Sequence, residues 1–154
     1  MTRARLALTV AALAAVTVAL AGCEKPNPGA SVFSGTTTQY RQAACWAADG
    51  GTIDANACAQ DVIANAKDGA KIATIPVVPG QVVGISVDPV VADAGWYPRI
   101  NGQNLTQSPL TTTYYRFTFP DFQEVSKDGI ALELIAGSAE ATQGIWLFQL
   151  VPPA

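Results

Sequence analysis

Hydrophobic residues follow three different patterns along this chain. From Leu6 to Gly22 no charged residue occurs, and 16 of the first 22 residues are hydrophobic. Between Ala55 and Ala66 the apolar positions take helical spacing. Cys58, Ala59, Val62, Ile63 and Ala66 share one predicted face, and Asn56, Gln60, Asp61 and Asn65 share the other. Asp54 stands at the N-cap position, Lys67 in the last turn and Gly69 at the C-cap. From Lys71 onward the period is two. Ile72–Ile75 is a short β-like run. Val83, Ile85 and Val87 alternate with Gly84, Ser86 and Asp88, and Trp96, Pro98 and Ile100 follow. Tyr115, Phe117 and Phe119 fall on one face, with Tyr114, Arg116 and Thr118 on the other. Ile130, Leu132 and Leu134 then alternate with Ala131, Glu133 and Ile135, and Trp146, Phe148 and Leu150 with Ile145, Leu147 and Gln149. Val78-Pro79-Gly80-Gln81 carries the residues of a type II turn, and Asn101-Gly102 those of a tight hairpin turn.

Five or six short strands separated by turns predict an all-β domain. The expected architecture is an antiparallel immunoglobulin-like β-sandwich with a short disulfide-stapled helical insertion. A small closed barrel is the alternative. An extra strand near Ala30–Ser34 is expected on a sheet edge, and Trp96 in the core. The domain is expected over residues 31–151, with Pro152-Pro153-Ala154 as a tail. About 120 residues suffice for one hydrophobic core.

The first segment reads as a secretory signal. Arg3 and Arg5 precede an apolar run that is short for a bilayer-spanning helix. It closes on Leu20-Ala21-Gly22-Cys23, which closely resembles the lipobox of bacterial lipoproteins. That resemblance implies a diacylglyceryl group on the Cys23 thiol and cleavage between Gly22 and Cys23. Residues 1–22 would be the signal peptide and residues 23–30 a lipidated tether rich in proline. The anchor implies the extracytoplasmic face of the cell membrane. Stable attachment needs two or more acyl chains.

Removing residues 1–22 leaves 60 hydrophobic residues in 132 and 7 Lys+Arg against 12 Asp+Glu, a formal charge of −5. A domain that acidic is repelled by an anionic membrane, so the lipid must carry the attachment. The acidic balance also argues against a nucleic-acid partner. Cys45 and Cys58 form an even pair in an exported compartment and predict one disulfide. Two thiols without histidine cannot complete a tetrahedral metal site. Asp49, Asp54 and Asn56 lack the spacing of a calcium loop, and a turn plus a helix cap accounts for them.

The motifs Asn27-Pro28-Gly29-Ala30-Ser31-Val32-Phe33-Ser34-Gly35, Cys45-Trp46, Ile85-Ser86-Val87-Asp88-Pro89, Ala94-Gly95-Trp96, Tyr114-Tyr115-Arg116-Phe117-Thr118-Phe119-Pro120 and Trp146-Leu147-Phe148-Gln149-Leu150 accompany the cysteine box. Together they resemble a family of small lipoproteins of Streptomyces-type actinobacteria, known only as a domain of unknown function. The resemblance implies no activity, ligand or catalytic residue.

Histidine is absent, which removes Ser-His-Asp and Cys-His catalysis. Gly84-Ile85-Ser86-Val87-Asp88 lacks the final glycine of a nucleophile elbow. The remaining acid–base option is a carboxylate pair, Asp88 with Asp93 or Asp121 with Glu124, and all four flank turns. No catalytic residue, metal or cofactor is therefore expected. The expected function is non-catalytic: a lipid-anchored binding or accessory module for an envelope protein or glycan. A small-ligand carrier and a carboxylate hydrolase are the alternatives. Trp46, Tyr97 and Tyr114 are candidate exposed aromatics. The favoured contact surface is Tyr114 and Arg116, with Arg99 expected nearby. Replacing Cys23→Ala should abolish palmitate labelling and block signal cleavage in cells. Persistent labelling of that variant would contradict the anchor.

Overall fold

The computed structural model describes residues 25–65, 72–120, 125, 127–138 and 140–154. The signal segment, Gly22, Cys23, Ala66, Lys67, Gly69, Asp121 and Glu124 lie outside the described residues, as do the side chains of Ile63 and Asn65. The chain begins with a hairpin of β1 (Gly29–Ser34) and β2 (Thr37–Gln42). Gly35 opens its two-residue turn at φ 56°, a conformation glycine adopts without strain. β3 (Cys45–Trp46), α1 (Ala55–Asn65), β4 (Ala73–Pro76) and β5 (Val82–Val87) follow. Then come α2 (Pro89–Ala94), β6 (Trp96–Ile100), β7 (Gln103–Asn104), β8 (Tyr114–Thr118), β9 (Ile130–Gly137) and β10 (Thr142–Val151).

The strands form two mainly antiparallel sheets. One has the order β2-β1-β5-β8 and the other β3-β10-β9-β6-β7. β4 adds to the second sheet by running parallel to the end of β10, Ala73 opposite Phe148. The expected turns are present. Gln81 N–H donates to the Val78 carbonyl with Gly80 at φ 78°, and Asn101 and Gly102 sit at φ 48° and 76° between β6 and β7. The first strand differs from expectation. β1 pairs with both β2 and β5, so it lies inside its sheet and not on an edge. It also begins at Gly29 with Pro28 and Ala30 buried, so the ordered body starts before residue 31.

Both sheets supply one core. Val32, Val83 and Ile85 meet Trp96, Leu132, Leu134, Trp146, Phe148 and Leu150, all fully buried. Each large aliphatic side chain withdrawn from water in this way contributes about 1.5–3 kcal/mol. The two core tryptophans must also satisfy an indole N–H. Trp96 Nε1 donates to the Thr112 carbonyl at 2.8 Å, and Trp146 Nε1 donates to the Pro28 carbonyl at 3.0 Å. The Pro28 carbonyl also accepts from the Ala43 amide at 2.8 Å. One residue further on, the Gly29 amide donates to Asp88 Oδ2 at 2.6 Å, and the Asp88 amide donates back to the Gly29 carbonyl at 3.0 Å. Pro28 and Gly29 are therefore fastened to both sheets.

Part of the outer face of the second sheet is covered. Ile135 and Ile145 point away from the main core, yet both are buried, because Cys58 and Val62 of α1 pack on them. Asp54 Oδ1 caps α1 by accepting the Asn56 and Ala57 amides at 2.9 and 3.0 Å. The expected disulfide is present: Cys45 of β3 and Cys58 of α1 are joined with Cα atoms 6.2 Å apart, so the helix is stapled to that sheet's edge strand. Replacing Trp146→Phe should keep an aromatic ring in the core, though a smaller one, and leave the Pro28 carbonyl short of a buried donor. The expected loss is about 1–3 kcal/mol in chemical denaturation, with faster exchange of the Ala43 amide. Unchanged stability and exchange would show that this bond does not fasten the chain's entry.

Candidate functional site: the bare face of the four-stranded sheet

No described element covers the outer face of the sheet β2-β1-β5-β8. Its side chains follow from the alternation in each strand. Ser31 and Phe33 point outward from β1, Thr38, Tyr40 and Gln42 from β2, Val82, Gly84 and Ser86 from β5, and Tyr114, Arg116 and Thr118 from β8. The strand register sets them in cross-strand rows. One row runs Thr38, Phe33, Gly84 and Arg116. The next runs Tyr40, Ser31, Ser86 and Tyr114.

Glycine decides the shape of this surface. Gly84 lies beneath the ring of Phe33, and a Cβ there would overlap the ring. Gly29 lies beneath the ring of Tyr40 in the same way. Without a side chain at these two strand positions, the aromatic rings fold down onto the backbone and restore the burial that glycine forgoes. The Tyr114 ring lies nearly parallel to Phe33, with an interplanar angle of 13° and centroids 6.2 Å apart. Tyr40 is 53% exposed and Tyr114 48% exposed, so the surface combines flat aromatic area with water contact. Ser31 and Ser86 lie between the two tyrosines in register. Arg116 is exposed and makes no ion pair among the described residues. The face thus offers three aromatic rings, the hydroxyls of serine, threonine and tyrosine, and a guanidinium without an acidic partner among the described residues. Such surfaces suit contact with a partner that has apolar and polar parts.

The expected surface is only partly assembled. Tyr114 and Arg116 share this face, but Arg99 does not. It lies on β6 in the other sheet, where Nη1 is 3.7 Å from Glu133 Oε2 and Nη2 donates to the Gly102 carbonyl at 2.7 Å. β6 pairs with β9 and not with β8, which separates Arg99 from the proposed patch. Tyr97 is on that second sheet as well, and Trp46 packs on Gly144 and Trp146 at the end of β10. Phe33 and Tyr40 were absent from the sequence-based surface. Phe33 on β1 and Gly84 on β5, four strands later in the chain, leave no local signature, and β2 shows no hydrophobic period.

Ser86 lies on the outward phase of β5, half-buried between Ser31 and Tyr114. Asp88 is engaged by the Gly29 amide, a structural role distinct from acid–base work. No family model, no curated protein and no solved structure matches this chain. Substituting Gly84→Val should drive the Phe33 ring off the backbone, remove its nuclear Overhauser contacts to Tyr114, and cost about 1 kcal/mol. Retention of those contacts would show that glycine does not set the ring's position.

Proposed function

We propose that this chain is a lipid-anchored, extracytoplasmic, non-catalytic module that engages a protein or glycan of the cell envelope through the bare face of the sheet β2-β1-β5-β8. The observation that carries this reading is the asymmetry between the two sheets. The disulfide-held α1 covers part of the outer face of one, while the other exposes Tyr40, Tyr114 and Arg116, which pairs with no acidic group among the described residues.

The strand order supports an immunoglobulin-like β-sandwich. In that fold one sheet contains the A, B, E and D strands and the other the C, F and G strands. Assigning A to β1, B to β5 and E to β8 gives the A-B-E order, and C to β6, F to β9 and G to β10 the C-F-G order, with no D strand among the described residues. β2, β3, α1 and β4 then lie between the first two main strands, and the local Cys45–Cys58 bond belongs to that insertion.

The anchor reading rests on the Leu20-Ala21-Gly22-Cys23 box, and the fastening of Pro28 gives it a geometric consequence. Five residues separate Cys23 from Pro28. An extended chain of that length spans at most about 18 Å. Acylation at Cys23 would therefore hold the end bearing Pro28, Gly29 and α2 close to the bilayer and stand the sheets away from it. The bare face would then look sideways along the membrane surface, toward neighbouring envelope components.

A photo-crosslinking residue placed at Tyr114 in living cells should trap a discrete envelope partner. The same residue at Gln60, on the exposed side of α1, should not. Equal capture from both positions, or none from Tyr114, would contradict the assignment of the bare face.

A further inference from the structure

A cleft of about 490 Å³ opens between the free edges of the two sheets, β8 on one side and β7 on the other. That volume lies within the roughly 300–1,000 Å³ of small-molecule sites. Ile100, Leu105, Tyr115 and Phe117 form its apolar walls. Tyr115 and Phe117 are half-buried, with rings at 24° and centroids 6.4 Å apart, and Trp96 meets Tyr115 edge-on from the core. The rim carries the amides of Asn101 and Gln103. Both residues are exposed and have no side-chain hydrogen bond among the described residues, so their donors and acceptors remain free.

The lining is also informative in its charge. Among the described residues lining this cleft, the Tyr115 phenol is the one ionisable side chain. An anionic or cationic ligand would lose hydration there and gain no counter-charge. A long acyl chain would leave the amide rim facing hydrocarbon. A ligand with apolar C–H faces and a fringe of hydroxyls matches both halves: the faces lie on Tyr115 and Phe117, and the hydroxyls pair with the amides. We propose that the cleft between β7 and β8 binds a neutral saccharide.

The location agrees with this use. Phe117 and Thr118 pair with Val83 and Val82, at the ends of their strands remote from Asp88 and Gly29. The cleft thus lies at the end of the sheets away from the chain's entry at Pro28. It shares no lining residue with the outer-face trio Phe33, Tyr40 and Tyr114, so it goes beyond the docking face and its fate is independent of it.

The test uses the intact chain in a zwitterionic detergent that carries no sugar. Cellobiose, maltose, lactose and N,N′-diacetylchitobiose are titrated by calorimetry, with glucuronate and laurate alongside. At least one neutral disaccharide should saturate in the millimolar range, with glucuronate and laurate at least about tenfold weaker. Gln103→Ala, and separately Asn101→Gly, which keeps the left-handed turn residue, should weaken that sugar about tenfold with unchanged thermal midpoint. Tyr114→Ala should leave it unaffected. Saturation by no disaccharide of the four, preference for glucuronate or laurate, or sensitivity to Tyr114→Ala without sensitivity to Gln103→Ala would each overturn the proposal. Crosslinking from Tyr114 does not depend on any of these results.

Discussion

The buried hydrogen bond from the Trp146 indole to the Pro28 carbonyl joins the approach to the first strand to the last strand. An indole N–H buried in this core without an acceptor would cost about 1–3 kcal/mol, so the position of Pro28 is tightly specified. Much of the architecture follows from that point. With Pro28 held, β1 begins at once at Gly29 and enters the interior of its sheet, where Asp88 secures it to the end of β5. The hairpin partner β2 is left on the outer edge.

That placement also accounts for the contrast between the two outer faces. The segment between β2 and β4 crosses to the second sheet, where β3 pairs with the start of β10 and α1 lies over Ile135 and Ile145. The disulfide keeps the helix there by limiting the unfolded alternatives of a 13-residue separation. Nothing among the described residues crosses the first sheet. Its outer surface is instead finished by rings lying on Gly29 and Gly84, an arrangement that buries part of each aromatic and leaves the rest open.

The strands legible in the sequence are those whose alternation marks the face that meets the core. β5, β6, β8, β9 and β10 show it, with core phases at Ile85, Trp96, Phe117, Leu132 and Phe148, although β9 and β10 are also partly buried on the other side. Local chemistry was equally readable: the Asp54 cap, the Pro79-Gly80 and Asn101-Gly102 turns, and the cysteine pair. What escaped had no periodic signal. β2, Thr-Thr-Gln-Tyr-Arg-Gln, is an edge strand with no fully buried residue, and β3 is two residues long. α2 is a six-residue helix marked only by Pro89 at its start and Gly95 after its end. Ile135 and Ile145 sit on the solvent phase of their strands and are buried only because α1 arrives from elsewhere. Half of the candidate surface was legible for the same reason: adjacent Tyr114 and Arg116 phases follow from one strand, whereas the grouping of Phe33 and Tyr40 and the exclusion of Arg99 depend on which strands become neighbours.

A partner on the bare face, as proposed, would shield it in cells while leaving the other sheet unchanged, and hydroxyl-radical footprinting of intact cells against purified protein reads that difference. Tyr40 and Tyr114 should be oxidised in the purified protein and protected in the envelope, while Tyr97 on the second sheet reacts equally in both. Equal oxidation of Tyr40 and Tyr114 in the two settings would contradict a partner on that face.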